Sequence, residues 1–505
     1  MQSNTNTIVV GPVIGKVTDT TARILVEFKI KGYITCKLFL DDGQKADELT
    51  LEVPAGFPIV FKFNNLKPNT KYHVKLDPVS NQWKSSFRTL PVAKDCNNLR
   101  FAILSCNEGS IARSKAPHRD LWCDLQTRVE KGEVDYLLMI GDSIYTDMGL
   151  KAEEKPYQRS MAILKNLPKE KWTEKIPQIK EIIRDEYRWT WSHPFTAAVL
   201  AQVPTLTIFD DHEIRDDWGW RSEDYDPNSD KPDYLFGQLA REAYYEYQRQ
   251  LREDIDFKDF SKIDREYHYH VFGSIGLFFT DYRGIRTWHR SHSGVKPNSQ
   301  LGEKQFNDIQ QLFTNGEFAN LSTVLFVSTV PIVIFTRKTT KLASYKVDDA
   351  KEQWNYSSGE EQVKLFQIFM DWKAKVPGRD LTIIGGDIHI GGHTDIYCNG
   401  ERAFKQFTTS AINSEEASRV QFGVIQYMQK ISTELSGGYT FKHHHWIKEN
   451  NYGLVTASTK KEGEKVTSTI ACKLVSYFND EMQALEEFDN HTWKAAGRDG
   501  CCNTF

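Results

Sequence analysis

The chain has 505 residues, a formal net charge of −4, and 40% hydrophobic and 12% aromatic content. A single hydrophobic core rarely grows past roughly 250–300 residues, so two or more domains are expected, and the composition is that of a folded protein. The slight acidity excludes the basic footprint that nucleic-acid binding needs.

Met1 to Thr7 are polar and lack an apolar core, so no secretory signal is expected. No apolar run reaches the length of a membrane span. Residues 1–95 read as an all-β domain. "IVVGPVIGKV", "ARILVEFKI" and "CKLFLDD" are β-branched, partly alternating runs punctuated by Gly15, Asp19 and Gly32. Leu66 to Tyr72 precede the strand-like "YHVKL" and resemble the tyrosine corner of fibronectin type III or immunoglobulin-like sandwiches. "SSFRTLP" fits the last strand of such a sandwich, and Pro91 onward reads as linker. No catalytic constellation falls here, so a structural or docking role is expected.

From Leu99 the pattern changes. "LRFAILSC", "DYLLMIGD", "VPTLTIFDD", "TVLFVSTVP" and "DLTIIGGD" are continuous apolar runs, as expected of strands buried on both faces. Helix-like stretches alternate with them: "HRDLWCDLQTRVEKG", "RDEYRWTWSHPFTAAVLAQ", "YLFGQLAREAYYEYQRQLR" and "EEQVKLFQIFMDWKAK". This alternation predicts an α/β domain over residues 96–430, with mixed sheets flanked by helices. A charged stretch near 150–185 reads as a helical insertion close to the site. Residues 431–505 read as strands, "NNYGLVTAS" and "VTSTIACKLV", then a short helix in "NDEMQALEEFDN" and an irregular tail that packs on or extends the catalytic domain.

Ligands of α/β folds gather at the carboxyl ends of the strands. Here those ends are Ser105-Cys106-Asn107, Gly141-Asp142-Ser143-Ile144-Tyr145, Asp210-Asp211-His212-Glu213 and Gly386-Asp387-Ile388-His389, the last followed by His393 and Asp395. The run before Pro331 supplies no titratable group. Carboxylates, an imidazole and a thiol on one edge repel one another unless cations compensate, and two metals sharing a carboxylate would do so.

The four motifs in this order resemble the alkaline phosphatase D family of calcineurin-like metallophosphoesterases, and "GPVIGKVTDTTARI" resembles that family's N-terminal β-domain. The resemblance implies that Asp142 bridges two metals, and that Cys106, Tyr145 and His389 complete an iron(III) site. A phenolate ligand such as Tyr145 needs a hard, highly charged ion, because free tyrosine has a pKa of about 10. Asp211 and Asp387 would hold the second metal. The commoner metallophosphoesterase pattern has Asn and His at those two places, and the change to oxygen ligands moves the site toward harder ions such as Ca²⁺, Mg²⁺ or Mn²⁺. The resemblance implies Ca²⁺, with Mg²⁺, Mn²⁺ or Zn²⁺ as alternatives.

The implied activity is hydrolysis of phosphate monoesters, and of diesters as an extension, by a metal-activated hydroxide. His212 is the expected proton donor to the leaving group, with Asn107, His393 and Arg286 on the substrate side. Arg283 and Arg286 in "DYRGIR" could equally serve in structural ion pairs. His443, His444 and His445 suggest a solvated or substrate-facing cluster without an assigned role. Two rivals are a phosphodiesterase of lipid headgroups or cyclic nucleotides, and an inactive phosphoesterase fold used as a scaffold.

The eight cysteines show no disulfide framework and no zinc spacing, so a reducing, cytoplasmic setting is expected. Cys36, Cys96, Cys123, Cys398 and Cys472 read as small buried apolar groups. Cys502, four residues from the end, matches the position of a prenylation box, and Cys501 could take a second lipid. Asn503 and Thr504 are not aliphatic, which weakens the match. A lipid-anchored membrane association through these two cysteines is one expectation, and an unmodified tail is the other.

Overall fold

The β-branched runs of the N-terminal region pair as the alternation predicts. The computed structural model describes residues 7–79, 83–149, 151–286, 299–343, 353–354, 358–463, 465–478, 481–487 and 493–495. Strands β1 (Ile8–Val17), β2 (Ala22–Phe28) and β5 (Ile59–Phe63) form one antiparallel sheet. Strands β3 (Gly32–Phe39), β4 (Lys45–Val53), β6 (Lys71–Asp77) and β7 (Ser86–Arg88) form another, in the order β4-β3-β6-β7. Their inward faces share one core, in which Ile24 and Phe61 meet Cys36, Leu38 and Tyr72. The Tyr72 hydroxyl accepts a hydrogen bond from the Lys67 amide at 2.9 Å, which is the back-bond expected of a tyrosine corner.

The rest of the chain builds two seven-stranded mixed sheets. The first is ordered β10-β9-β8-β18-β19-β20-β21, from β8 (Asn98–Leu104), β9 (Tyr136–Ile140), β10 (Thr205–Ile208), β18 (Asn451–Glu462), β19 (Lys465–Phe478), β20 (Glu481–Glu487) and β21 (Trp493–Ala495). The second is ordered β11-β12-β13-β14-β16-β15-β17, from β11 (His268–Phe272), β12 (Ile275–Phe279), β13 (Thr323–Val327), β14 (Asp380–Gly385), β15 (Gly391–Cys398), β16 (Glu401–Thr408) and β17 (Tyr439–Ile447). The two sheets share a core: Leu277, Leu325 and Ile384 of the second pack with Phe101, Ile103 and Val455 of the first.

Parallel pairing sets the site. β8, β9 and β10 run parallel to one another, as do β12, β13 and β14. Their carboxyl ends therefore open on the same edge, where the motifs lie. β8, β9, β13 and β14 are buried along most of their length, which is why they read as uninterrupted apolar runs.

Several expectations need correction. "RDEYRWTWSHPFTAAVLAQ" is two helices, Ile176–Trp191 and Pro194–Leu200, because Pro194 cannot donate and turns His193 out of helical geometry. "NDEMQALEEFDN" contains strand β20 rather than a helix; the open edge of β19 overrides its weak helical preference. Cys123 and Cys398 are half-buried rather than buried. Of the histidine run on β17, His445 is exposed but His443 is half-buried: burial holds its imidazole down to about 3, and it meets the Thr394 hydroxyl at 2.7 Å and the Ile334 carbonyl at 2.9 Å.

The stretch near 150–185 is helical over Pro156–Leu164 and from Ile176. It is tied to the first strand end through Lys155, whose ammonium lies 2.8 Å from Glu108 and 2.9 Å from Glu186. Cys501 and Cys502 lie outside the described residues, and no helix among those described is long and apolar enough to cross a membrane.

Candidate metal centre

The strand ends bring a dense set of buried polar groups together. Asp142 is its hub. One carboxylate oxygen accepts from the His212 amide at 3.2 Å. The other lies 3.4 Å from the Cys106 thiol and 3.5 Å from the Tyr145 hydroxyl. That hydroxyl is 3.1 Å from His389 Nε2, and the Tyr145 ring stacks on His212 with centroids 4.2 Å apart.

Arg283, following β12, faces the other half of the set. Its guanidinium reaches Asp210 at 2.5 Å, Asp387 at 3.0 Å and Asp211 at 3.3 Å, and it is almost fully buried. Arg283 is thus ion-paired within the site. Arg286 donates to the Trp218 and Gly219 carbonyls, and its charge helps to hold the Asp211 carboxyl low. His393 pairs with Asp395 at 3.1 Å, and His444 lies 3.1 Å from the other oxygen of Asp395. Asn107 stays at the strand end: its side chain accepts from the Trp122 indole at 2.9 Å, and its amide donates to the Asp142 carbonyl at 2.8 Å.

Burial dominates the electrostatics. It pushes the Asp142 and Asp387 carboxyls well above their usual range, with neighbouring acids adding to the shift at both. Burial also raises the Cys106 thiol and the Tyr145 phenol, each further raised by adjacent charge. At Asp211, burial is overcome by Arg283 and His212, which hold the carboxyl low. His212 would be lowered by burial, but Asp147, Asp211 and Asp142 together raise it well above a free imidazole. His389 is held down to about 4, by burial first and by His212 second.

Such a set fits a cation. Ligand oxygens of Asp142, Asp210, Asp211 and Asp387 lie within 4.8 Å of one another, as do atoms of Asp142, Asp211 and His212. Asp211 Oδ1 is buried and, among the described residues, makes no hydrogen bond but an ion pair with Arg283 at 3.3 Å. Backbone geometry marks the same places. Cys106, Asp142, Asp387 and His389 all adopt left-handed φ, between 53° and 66°. None is a glycine, and such strain persists where the surroundings impose it.

Four site residues were given no role by the sequence reading. Asp210 joins the acidic group although only Asp211 of that pair was singled out. Asp147 holds His212 Nδ1 at 2.9 Å; its position two residues after Tyr145 was the available signal. Thr329, after β13, donates to Asp210 at 3.0 Å, so the run before Pro331 does contribute a polar group. Glu213 accepts from the amides of Asp142, Ser143 and Asp210 at 3.0, 2.7 and 2.9 Å, locking two strand ends together.

The PhoD-like phosphatase family profile matches residues 101–468. No curated protein matches the chain. Among solved structures, one described as the structure of PhoD is 12% identical, covers 96% of this chain and 93% of its own, and superposes with a TM-score of 0.66. GAP50, the anchor in the inner membrane complex of Plasmodium, is 13% identical over 75% of this chain and 85% of its own, with a TM-score of 0.35. A β-glucuronidase of Parabacteroides merdae is 11% identical over 97% and 69%, with a TM-score of 0.25. Neither of the last two resembles this fold closely enough to bear on it.

Proposed function

The chain belongs to the PhoD-like phosphatase family, and from that premise we propose that it hydrolyses phosphate esters at the edge where β8, β9, β10 and β14 end. The observation that carries this reading is the group of three buried carboxylates, Asp142, Asp210 and Asp211, with the half-buried Asp387, whose oxygens converge within 4.8 Å. A group of like charges at this density calls for cations.

Cys106, Asp142, Tyr145 and His389 would hold iron(III), and Asp142, Asp211 and Asp387 would hold Ca²⁺, with Asp142 common to both. Bound there, the ions would supply Lewis acidity towards the phosphoryl oxygens and a lowered pKa for water. The chain's own residues do the rest. Arg283, among the acids, offers a planar donor fork suited to an anionic ester. Asp147 fixes His212 through Nδ1, which leaves Nε2 to deliver a proton to the departing oxygen. The Tyr145 ring stacked on His212 limits rotation of the imidazole. Asn107 and His393 are proposed as substrate-side residues, His393 acting through its tie to Asp395.

We read residues 1–95 as a structural or docking domain, 96–430 as the catalytic domain and 431–505 as its extension. Support for the first comes from its contacts: Glu27 meets Arg188 at 2.7 Å and the Tyr247 hydroxyl at 2.6 Å, and Tyr136 accepts from the Val17 amide at 2.9 Å. The testing experiment measures phosphate release from p-nitrophenyl phosphate and from its bis ester, before and after chelation and metal return. Chelator-sensitive release from the monoester is expected. A protein that takes up metal yet hydrolyses neither ester would refute the reading and favour a scaffold, and release from the bis ester alone would favour a phosphodiesterase.

A further inference from the structure

Ten large apolar side chains are exposed among the described residues, and five of them lie on two neighbouring helices. The helix Arg419–Ile431 carries Val420, 77% exposed, Val424, 53%, Tyr427, 69%, and Ile431, 50%. The spacing 420–424–427–431 puts all four on one narrow stripe of a 3.6-residue helix. Ile425 and Met428 point elsewhere and pack with Ile334 and Phe335. The helix Arg337–Ala343 adds Leu342, 58% exposed. Ile388, between Asp387 and His389, belongs to the same small cluster, so the two helices sit beside the acidic site.

Singly exposed apolar residues are ordinary, but a continuous stripe marks an interaction surface. Charge indicates what it meets. The two helices contain Arg337, Lys338, Lys341, Arg419 and Lys430, all exposed, and no Asp or Glu. This occurs in a chain of net charge −4. Arg419 and Lys430 fall on one side of their helix, next to the apolar stripe. The nearest acids along the chain, Asp348 and Asp349 after the first helix and Glu415, Glu416 and Glu434 around the second, lie outside the helices, and Glu416 faces Lys448 at 3.6 Å. A second copy docking through a two-fold axis would set this cationic face against itself, which like charges oppose. An apolar stripe bordered by Lys and Arg instead matches an anionic bilayer surface. Apolar side chains enter the headgroup boundary there, and cations meet lipid phosphates.

We propose that the helices Arg337–Ala343 and Arg419–Ile431 form a docking surface for an anionic phospholipid membrane. This goes beyond the proposed reaction, and its test reads binding without turnover. Full-length protein made in a bacterium, hence without attached lipid, is sedimented with vesicles of phosphatidylcholine alone or mixed with phosphatidylserine. Binding at least about tenfold tighter to the anionic vesicles is expected, weakening as salt screens the basic side chains. Val424→Ser/Tyr427→Ser should weaken it by about tenfold or more, as should Lys338→Glu/Lys341→Glu. Both variants should keep the melting temperature and the activity on a soluble ester. Absence of vesicle binding by the unaltered protein, equal binding to neutral vesicles, or unchanged binding by both variants would overturn the proposal. So would a solution dimer that Val424→Ser/Tyr427→Ser dissolves without any vesicle binding, which would assign the face to a second copy.

Discussion

The N-terminal sandwich and the strand-end edge of the two large sheets are both built of buried β-structure, yet they tolerate different things. Among the described residues of the sandwich, the non-glycine residues with left-handed backbone are Asn65 and Asn69. Both are in turns, and asparagine accepts that conformation readily. Its buried charge, Glu27, is matched by Arg188. At the strand-end edge the left-handed positions include Cys106, Asp142, Asp387, His389 and Ala411, gathered around one site rather than spread over turns. Four carboxylates, three of them buried and Asp387 half-buried, converge there, with Arg283 as the guanidinium that reaches three of them. One region has been arranged for stability. The other accepts strain and repulsion, as functional sites do, and depends on its surroundings to hold it.

The sharpest test of that contrast is Asp142→Asn. Losing the hub carboxylate should lower kcat on the order of a thousandfold, about 4 kcal/mol of transition-state stabilisation, and more than Asp211→Asn or Asp387→Asn. Relief of like-charge repulsion should leave the metal-free variant at least as resistant to urea as the metal-free parent. Near-parental turnover in metal-replete Asp142→Asn would remove the site. Metal content comes next. The purified protein should carry iron and absorb visible light through tyrosinate- or thiolate-to-iron charge transfer, and Tyr145→Phe should abolish or shift the band. A colourless, iron-free protein with full activity would exclude iron.

A smaller effect is expected at Asp147→Asn, which leaves His212 in place but loosens its orientation. Turnover of alkyl phosphates, whose leaving group needs a proton, should fall by roughly 10²-fold. Turnover of p-nitrophenyl phosphate, whose leaving group does not, should fall much less. Equal losses on both would show that Asp147 acts on structure rather than through proton delivery. The smallest effect belongs to the sandwich. Tyr72→Phe removes the bond from the Lys67 amide, and should cost about 1 kcal/mol in denaturant unfolding with kcat unchanged. A change in kcat would mean that the two regions are coupled through more than their packing.

The legibility of this protein followed the same division. β8, β9, β13 and β14 were readable because strands buried on both faces must be apolar throughout. Their polar ends stood out because charge has little bland use there. β15, β16 and β17 were not readable: they carry Asp395, Gln406 and His443 within the sheet, satisfied by partners far away in the chain. β20 was mistaken for a helix, since its pairing depends on the exposed edge of β19 and not on its own residues. Cys106, Asp142, Tyr145, Asp211, Asp387 and His389 could be named from motifs that each close a strand. Asp210, Asp147, Thr329 and Glu213 took their roles only through geometry, which also decided the ion-pair alternative for Arg283.

By itself, then, the sequence determined the alternation of buried strands and helices, the tyrosine corner, and which strand ends bear titratable groups, because apolar periodicity and the cost of burying charge act locally. The tertiary structure decided which of those groups meet, how Arg283 is shared among Asp210, Asp211 and Asp387, and which face of the helix Arg419–Ile431 stays exposed. Those outcomes depend on parallel strand register and on the packing of one sheet against the other, which no local pattern encodes.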